Sequence, residues 1–172
     1  MTNNRSGAGL KPTVFALHGG GLSAAAMRRD MGDPPWVDCY VEGDDMSEVL
    51  ASVGIDIVLI GYSLGGSRIG ELSQLLPSDI VGAVLYESPL LGLQSTGGNF
   101  PVLWIRNQYR STEKREREFS RAERIWSSTH PIQRELGEGR HVRWRFGWPP
   151  FGHAWDRSLN PVIADFIFHC GG

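Results

Sequence analysis

The chain of 172 residues contains only two cysteines, Cys39 and Cys170. Two thiols do not make a disulfide framework, so a packed core must hold the fold, and a cytoplasmic protein with free thiols is expected. No apolar run approaches the ~20 residues needed to cross a bilayer, which excludes a membrane span. The opening Met1-Thr-Asn-Asn-Arg-Ser-Gly-Ala-Gly9 is polar and lacks the apolar segment of a signal peptide. Residues 1–11 therefore read as a flexible tail ahead of a single domain over 12–172. There is no internal repeat and no low-complexity tract. A formal net charge of −2, without a base-stacking motif, argues against nucleic acid as a partner. What remains is an ordinary globular composition, 41% hydrophobic. A chain of this length can bury roughly 70% of its unfolded surface.

The most informative segment is Ile55-Asp-Ile-Val-Leu-Ile-Gly-Tyr-Ser-Leu-Gly-Gly66. An apolar, β-branched strand runs straight into Gly61-Tyr62-Ser63-Leu64-Gly65, and then into the helical pattern Leu64, Ile69, Leu72, Leu75, Leu76. A G-x-S-x-G turn between a strand and a helix lifts its serine hydroxyl above the sheet edge. The serine backbone must be strained to do so. Glycine is required at 61 and 65, because side chains there would collide with the neighbouring strand and helix. The following helix directs its N-terminal amides at any oxyanion forming beside Ser63. An ordinary strand-to-helix turn is the competing reading, and the strand-turn-helix context weighs against it.

A second glycine-rich turn, His18-Gly-Gly-Gly21, follows the short apolar strand at Thr13. A tetrahedral intermediate needs at least two hydrogen-bond donors, and backbone amides in a glycine loop can approach closely enough. The natural pair is Leu64 with Gly20 or Gly21. Late in the chain, Phe151-Gly-His-Ala-Trp155 follows strand-like residues 140–146 and a Pro-rich loop. His153 then sits in a loop past a strand end, where a base can reach the serine proton. His18 reads as a structural hydrogen-bonder of the glycine loop.

With these residues in view, the chain resembles the α/β-hydrolase superfamily. His18-Gly-Gly-Gly21, Gly61-Tyr-Ser-Leu-Gly-Gly66 and Gly152-His153 occur in that superfamily's chain order, and the resemblance extends from about residue 12 to the end. It implies a serine hydrolase acting on a small-molecule ester or thioester. Ser63 would be the nucleophile and His153 the base, with no cofactor and no metal.

The acid departs from the pattern. Relatives usually carry it after the penultimate strand, here Phe100–Arg106, but Arg110 stands near that place. Some relatives take it from the end of the preceding strand, which makes Glu87 the candidate; a loop-capping carboxylate is the other reading of Glu87. Glu113, or no side chain at all, are the alternatives for the role of orienting His153. Relatives also insert a lid between the strand ending at Tyr86 and the one starting at Pro101. Only Glu87 to Phe100 fill that gap here, so an open site is expected, suited to a small esterase, thioesterase or deacylase. Acyl transfer through the same acyl-enzyme is one alternative, and a non-catalytic binding module is another.

Strands are expected near 13–18, 36–41, 55–61, 80–86, 101–106 and 140–146. Helices are expected near 23–31, 46–53, 64–76, 112–129 and 161–169, the last capped by Asn160 with Pro161 in its first turn. The alternation predicts an α/β fold: a three-layer α/β/α sandwich around a mostly parallel sheet. The resemblance implies six strands in the order second, first, third, fourth, fifth, sixth, without the superfamily's two leading antiparallel strands. Residues 106–145 carry eleven basic and six acidic side chains, while 1–105 carry five and eleven. In that basic half, Glu113 to Glu118 form a self-paired, solvated helix face. Arg106 and Arg110 lie at a strand's carboxyl end, where they could hold an anionic group on the substrate; solvated surface arginines are the other reading.

Overall fold

The computed structural model describes residues 11–43, 45–88, 99–107, 117, 120, 121, 123, 124, 127, 131–137 and 155–171. Among the described residues six strands form one sheet: β1 (Thr13–Leu17), β2 (Cys39–Val41), β3 (Ile57–Tyr62), β4 (Ile80–Tyr86), β5 (Val102–Asn107) and β6 (Ile132–Gly137). All adjacent pairs are parallel and the order is β2-β1-β3-β4-β5-β6, as expected. Parallel neighbours need crossover connections, and here α1 (Ala24–Met31), α2 (Ser47–Leu50) and α3 (Gly65–Leu75) supply three of them.

Strands covered on both faces should be apolar throughout, and every residue of β3 is buried. The period of two divides the core. Phe15, Leu17, Ile57 and Leu59 face α2 and α3, packing with Val49, Ile69 and Leu72. Val14, Ala16, Val58 and Ile60 face the other way, onto Met27 and Met31 of α1 and onto Ile163, Phe166 and Ile167 of the C-terminal helix (Asn160–Cys170). The result is the expected three-layer sandwich.

The sixth strand lies earlier than expected. It is Ile132–Gly137, paired with β5 from Val102↔Ile132 to Asn107↔Gly137, and 140–146 lies outside the described residues. Its sequence, Ile-Gln-Arg-Glu-Leu-Gly, is polar because the strand is at the sheet edge, where charged residues blunt further pairing. Within 112–129, Arg117, Ser120, Arg121, Glu123, Arg124 and Ser127 are helical. The strand expected over 36–41 shortens to three residues, because Val37 N–H donates to Pro34 O and the Pro34-Pro35 turn takes the preceding residues.

Asn160 is not the cap of the last helix. A 3₁₀ turn over Arg157–Leu159 leads into that helix, so Asn160 is already helical, with φ −53° and ψ −39°. Its amide accepts from Trp155 Nε1–H at 2.9 Å and donates to Met31 O at 2.9 Å. Asp156 caps the 3₁₀ turn instead, accepting from Ser158 N–H at 3.0 Å.

Candidate active site

The strand order reverses between β1 and β3, since the chain leaves β1 toward one edge and β3 toward the other. In open parallel sheets, ligands bind outside the carboxyl ends of the strands at such a switch point. The two glycine motifs lie there, one following β1 and one following β3.

Ser63 follows directly on β3 with φ +54°, in the left-handed region that costs a non-glycine residue about 1–2 kcal/mol. Its backbone is held at both ends, by the last residue of β4 and by the chain just beyond it. Ser63 N–H donates to Tyr86 O at 2.9 Å, and Ser88 Oγ–H donates to Ser63 O at 2.6 Å. Hydrogen bonds of this kind contribute roughly 1 kcal/mol net each, enough together to offset the strain. The turn that follows leaves no room beside Gly65, where a Cβ would stand 2.1 Å from Leu17 O. Gly61 is equally confined, with Gly66 Cα at 2.6 Å from its would-be Cβ, so both expected glycine requirements hold. Gly66 carries the same requirement, unanticipated from sequence, because Ser88 packs against it.

The glycine loop after β1 lies against this serine. A Cβ on Gly19 would be 3.0 Å from Ser63 Cβ and 3.6 Å from Ser63 Oγ. Leu22 N–H closes a turn onto Gly19 O at 3.2 Å, and Gly21 occupies its third position with φ +74°, as a type II turn demands. His18 is buried and braces the loop, as read from the sequence. Its Nε2 accepts from Gly43 N–H at 2.9 Å, so the proton is on Nδ1, which donates to Gly19 O at 2.8 Å. A trans peptide sets its carbonyl and the next N–H on opposite sides. Holding the Gly19 carbonyl thus fixes the direction of the Gly20 amide. Glu42, just after β2, ties the same region down, accepting from Ala24 N–H at 3.0 Å. Leu64, after the serine, is 49% exposed, with its side chain lying over Gly20.

Glu87 follows β4 and is 2% exposed, with φ +47°. A glutamate seldom occupies a left-handed conformation and seldom lies buried. It stands between the two residues, Tyr86 and Ser88, that bond to Ser63, and its own N–H donates to Ile105 O at 2.9 Å. Arg106 lies near the end of β5, half-buried, opposite Leu136 of β6. His153, Arg110, Glu113 and most of the 87–100 gap lie outside the described residues.

Three contributors carried no sequence signal of their own: Tyr86, Ser88 and Trp155. Trp155 stacks on Tyr86 with ring centroids 4.2 Å apart and planes at 18°, and meets Tyr62 edge-on at 5.9 Å. Tyr62 precedes the serine and Tyr86 precedes the glutamate. Among the described residues, no cluster of three or more histidines, cysteines or acids could hold a metal ion. No described helix is long and apolar enough to cross a membrane.

No family model matches the chain, and no curated protein matches it by sequence. Solved structures do match by fold. A Bacillus cereus carboxylesterase aligns with a TM-score of 0.60 at 13% identity, over 95% of this chain and 90% of that one. A carboxylesterase from Bacillus subtilis aligns at 0.59 and 19% identity, over 97% and 86%. A dienelactone hydrolase-like promiscuous phosphotriesterase from metagenomic libraries aligns at 0.58 and 13% identity, over 98% and 90%.

Proposed function

The chain adopts the α/β-hydrolase fold, and on that premise we propose that it is a serine hydrolase cleaving a carboxylic ester or thioester. The observation that supports this most is Ser63 itself. It is held at positive φ by bonds to the residues on either side of a buried glutamate, with a braced glycine loop against its side chain. Strained non-glycine residues cluster at functional sites, and Ser63 and Glu87 stand at adjacent strand ends.

In this reading Ser63 Oγ attacks the acyl carbon while His153 takes its proton, and Glu87 holds the imidazole in the tautomer that permits this. The oxyanion is received by the N–H of Leu64 and of Gly20 or Gly21. Collapse breaks the bond to the alcohol or thiol, which leaves with the proton from His153. Water then attacks the acyl-enzyme by the same path in reverse, returning Ser63 and releasing the acid. No step calls for a metal or cofactor. Arg106 and Arg110 are proposed to hold an anionic group on the substrate. Arg106→Ala would then raise KM for a carboxylate-bearing ester more than for its neutral analogue. Two of the matching structures are carboxylesterases, which favours small esters as the first substrates to try.

The test is covalent labelling with a fluorophosphonate, followed by turnover of p-nitrophenyl esters and acyl thioesters of graded length. The protein should be labelled at Ser63, and Ser63→Ala should lose labelling and about 10⁴–10⁶ of the turnover rate. Because the base must be neutral, kcat/KM should fall as pH drops through the imidazole range, about 6.5 before perturbation. An unlabelled protein would be a binding module, and an acyl group captured by added alcohol in preference to water would mark a transferase. A Ser63→Ala variant retaining a tenth of the activity would sink the assignment.

A further inference from the structure

Three aromatic rings gather where β3 and β4 end, next to Ser63 and Glu87 along the chain. Tyr62 ends β3 one residue before Ser63, Tyr86 ends β4 one residue before Glu87, and Trp155 follows His153 by two residues. The rings touch pairwise: Tyr62 and Tyr86 at 5.6 Å, Tyr62 and Trp155 at 5.9 Å, Tyr86 and Trp155 at 4.2 Å. All three are buried.

Trp155 is fixed more firmly than apolar packing alone requires. Its Nε1–H is spent on Asn160, which is bonded in turn to Met31 O of α1. The next residue is held by the same tyrosine on which Trp155 stacks, since Asp156 N–H donates to Tyr86 Oη at 2.7 Å. One side chain of β4 therefore secures two consecutive residues, Trp155 and Asp156. Two residues of chain span at most about 7 Å. Whatever fixes Trp155 against the ends of β3 and β4 also limits where residue 153 can stand.

We infer that Trp155, seated on Tyr86 and Tyr62, is a positioning residue that sets the proposed base against the nucleophile. This rests on the reading of His153 as that base. Aromatic packing in a core is common and by itself argues only for stability. The difference is the direct linkage of three chain segments that each carry one reacting group. A misplacement of about 1 Å in such an arrangement costs on the order of 10²-fold in rate.

The test reads Ser63 phosphonylation by a fluorophosphonate. The Oγ–P bond forms, the P–F bond breaks, fluoride leaves and the hydroxyl proton passes to the base. This needs no knowledge of the natural substrate. Trp155→Ala should lower the maximal labelling rate about 10²-fold with the probe's apparent affinity unchanged, measured well below its melting temperature. Trp155→Phe, which keeps a ring on Tyr86, should recover most of that loss. Tyr86→Phe, which keeps the stack but frees Asp156 N–H, should cost several-fold, and it serves if Trp155→Ala does not fold. In a His153→Ala background, both substitutions should have no further effect, because there is no base left to place.

Wild-type labelling rates in folded Trp155→Ala and Tyr86→Phe would overturn the inference, as would the same fold-loss with or without His153. If instead His153→Ala labels as fast as the unaltered protein, the base assignment itself fails, and this inference with it.

Discussion

Gly65 offers the sharpest test of the site's geometry. It is the first residue of α3, where intrinsic propensity favours alanine over glycine by up to about 1 kcal/mol. Propensity alone therefore predicts that Gly65→Ala is neutral or stabilising. Contact geometry predicts the reverse. A Cβ at this position stands 2.1 Å from Leu17 O, 2.9 Å from Leu17 C and 3.0 Å from His18 O, against 3.4 Å or more for ordinary contact. All three are backbone atoms at the end of β1 and cannot rotate aside. Either the elbow or the start of the glycine loop must move by more than about 1 Å, and overpacking a rigid wall costs roughly 2–3 kcal/mol. For a chain of this size that corresponds to a melting temperature lower by about 4–12 °C. The displacement also separates Ser63 from the loop, so phosphonylation should slow by about 10²-fold. Gly20→Ala is the control. Its Cβ would meet only Leu64 Cδ1, at 2.5 Å, the far end of an exposed side chain that can swing away. It should cost less than about 1 kcal/mol. Thermal melts by circular dichroism and labelling rates on both variants decide the matter. If Gly65→Ala melts with the wild type and labels at the same rate, close approach is not what this turn requires.

Ser63→Gly should abolish labelling yet leave the melting temperature unchanged or higher by up to about 4 °C, since glycine bears no penalty at φ +54°; a drop of several degrees would show that the serine is not strained. Glu87→Gln should lower kcat by up to ~10⁴ with Glu113→Gln near wild type, and equal losses in the two would reassign the acid. The Cys39 thiol, pushed up to about 12 by burial and by the hydrogen bond it donates to Glu48, is protonated at pH 8. After allowing for the greater nucleophilicity of a basic thiolate, it should react with a disulfide reagent about a hundredfold more slowly than an ordinary cysteine. Glu48→Gln should quicken it, and native-state reaction at the denatured rate would refute the assignment.

Legibility followed burial. The Ile57–Tyr62 strand announced itself because a central parallel strand must be apolar on both faces. The sixth strand did not, because an edge strand tolerates Gln133, Arg134 and Glu135, and the alternation at 140–146 was the stronger pattern. Ser63 and the glycine loop were readable as spaced motifs. The place of Glu87 was readable as a strand end, but its burial and backbone were not, since both depend on where β5 and the elbow pack. Ser88 and Trp155 were invisible for the same reason. A serine after a strand and a tryptophan in a loop acquire their roles only from partners 25 and 69 residues away, Ser63 and Tyr86. Asn160 misled because Asn-Pro is a common helix start, and the preceding 3₁₀ turn has no comparable signature.

The bonds from Tyr86 and Ser88 to Ser63 also set an order of events during folding. A chain that has made β1, β3 and α3 but not docked β4 has nothing to hold Ser63 at positive φ, and the residue relaxes to an ordinary turn. Parallel pairing of β4 with β3 must close the whole α3 crossover between them, and such non-local pairing is slow. Reactivity at Ser63 therefore cannot precede the docking of β4, so that a fluorophosphonate added at intervals during refolding would set the latest time by which that step is complete.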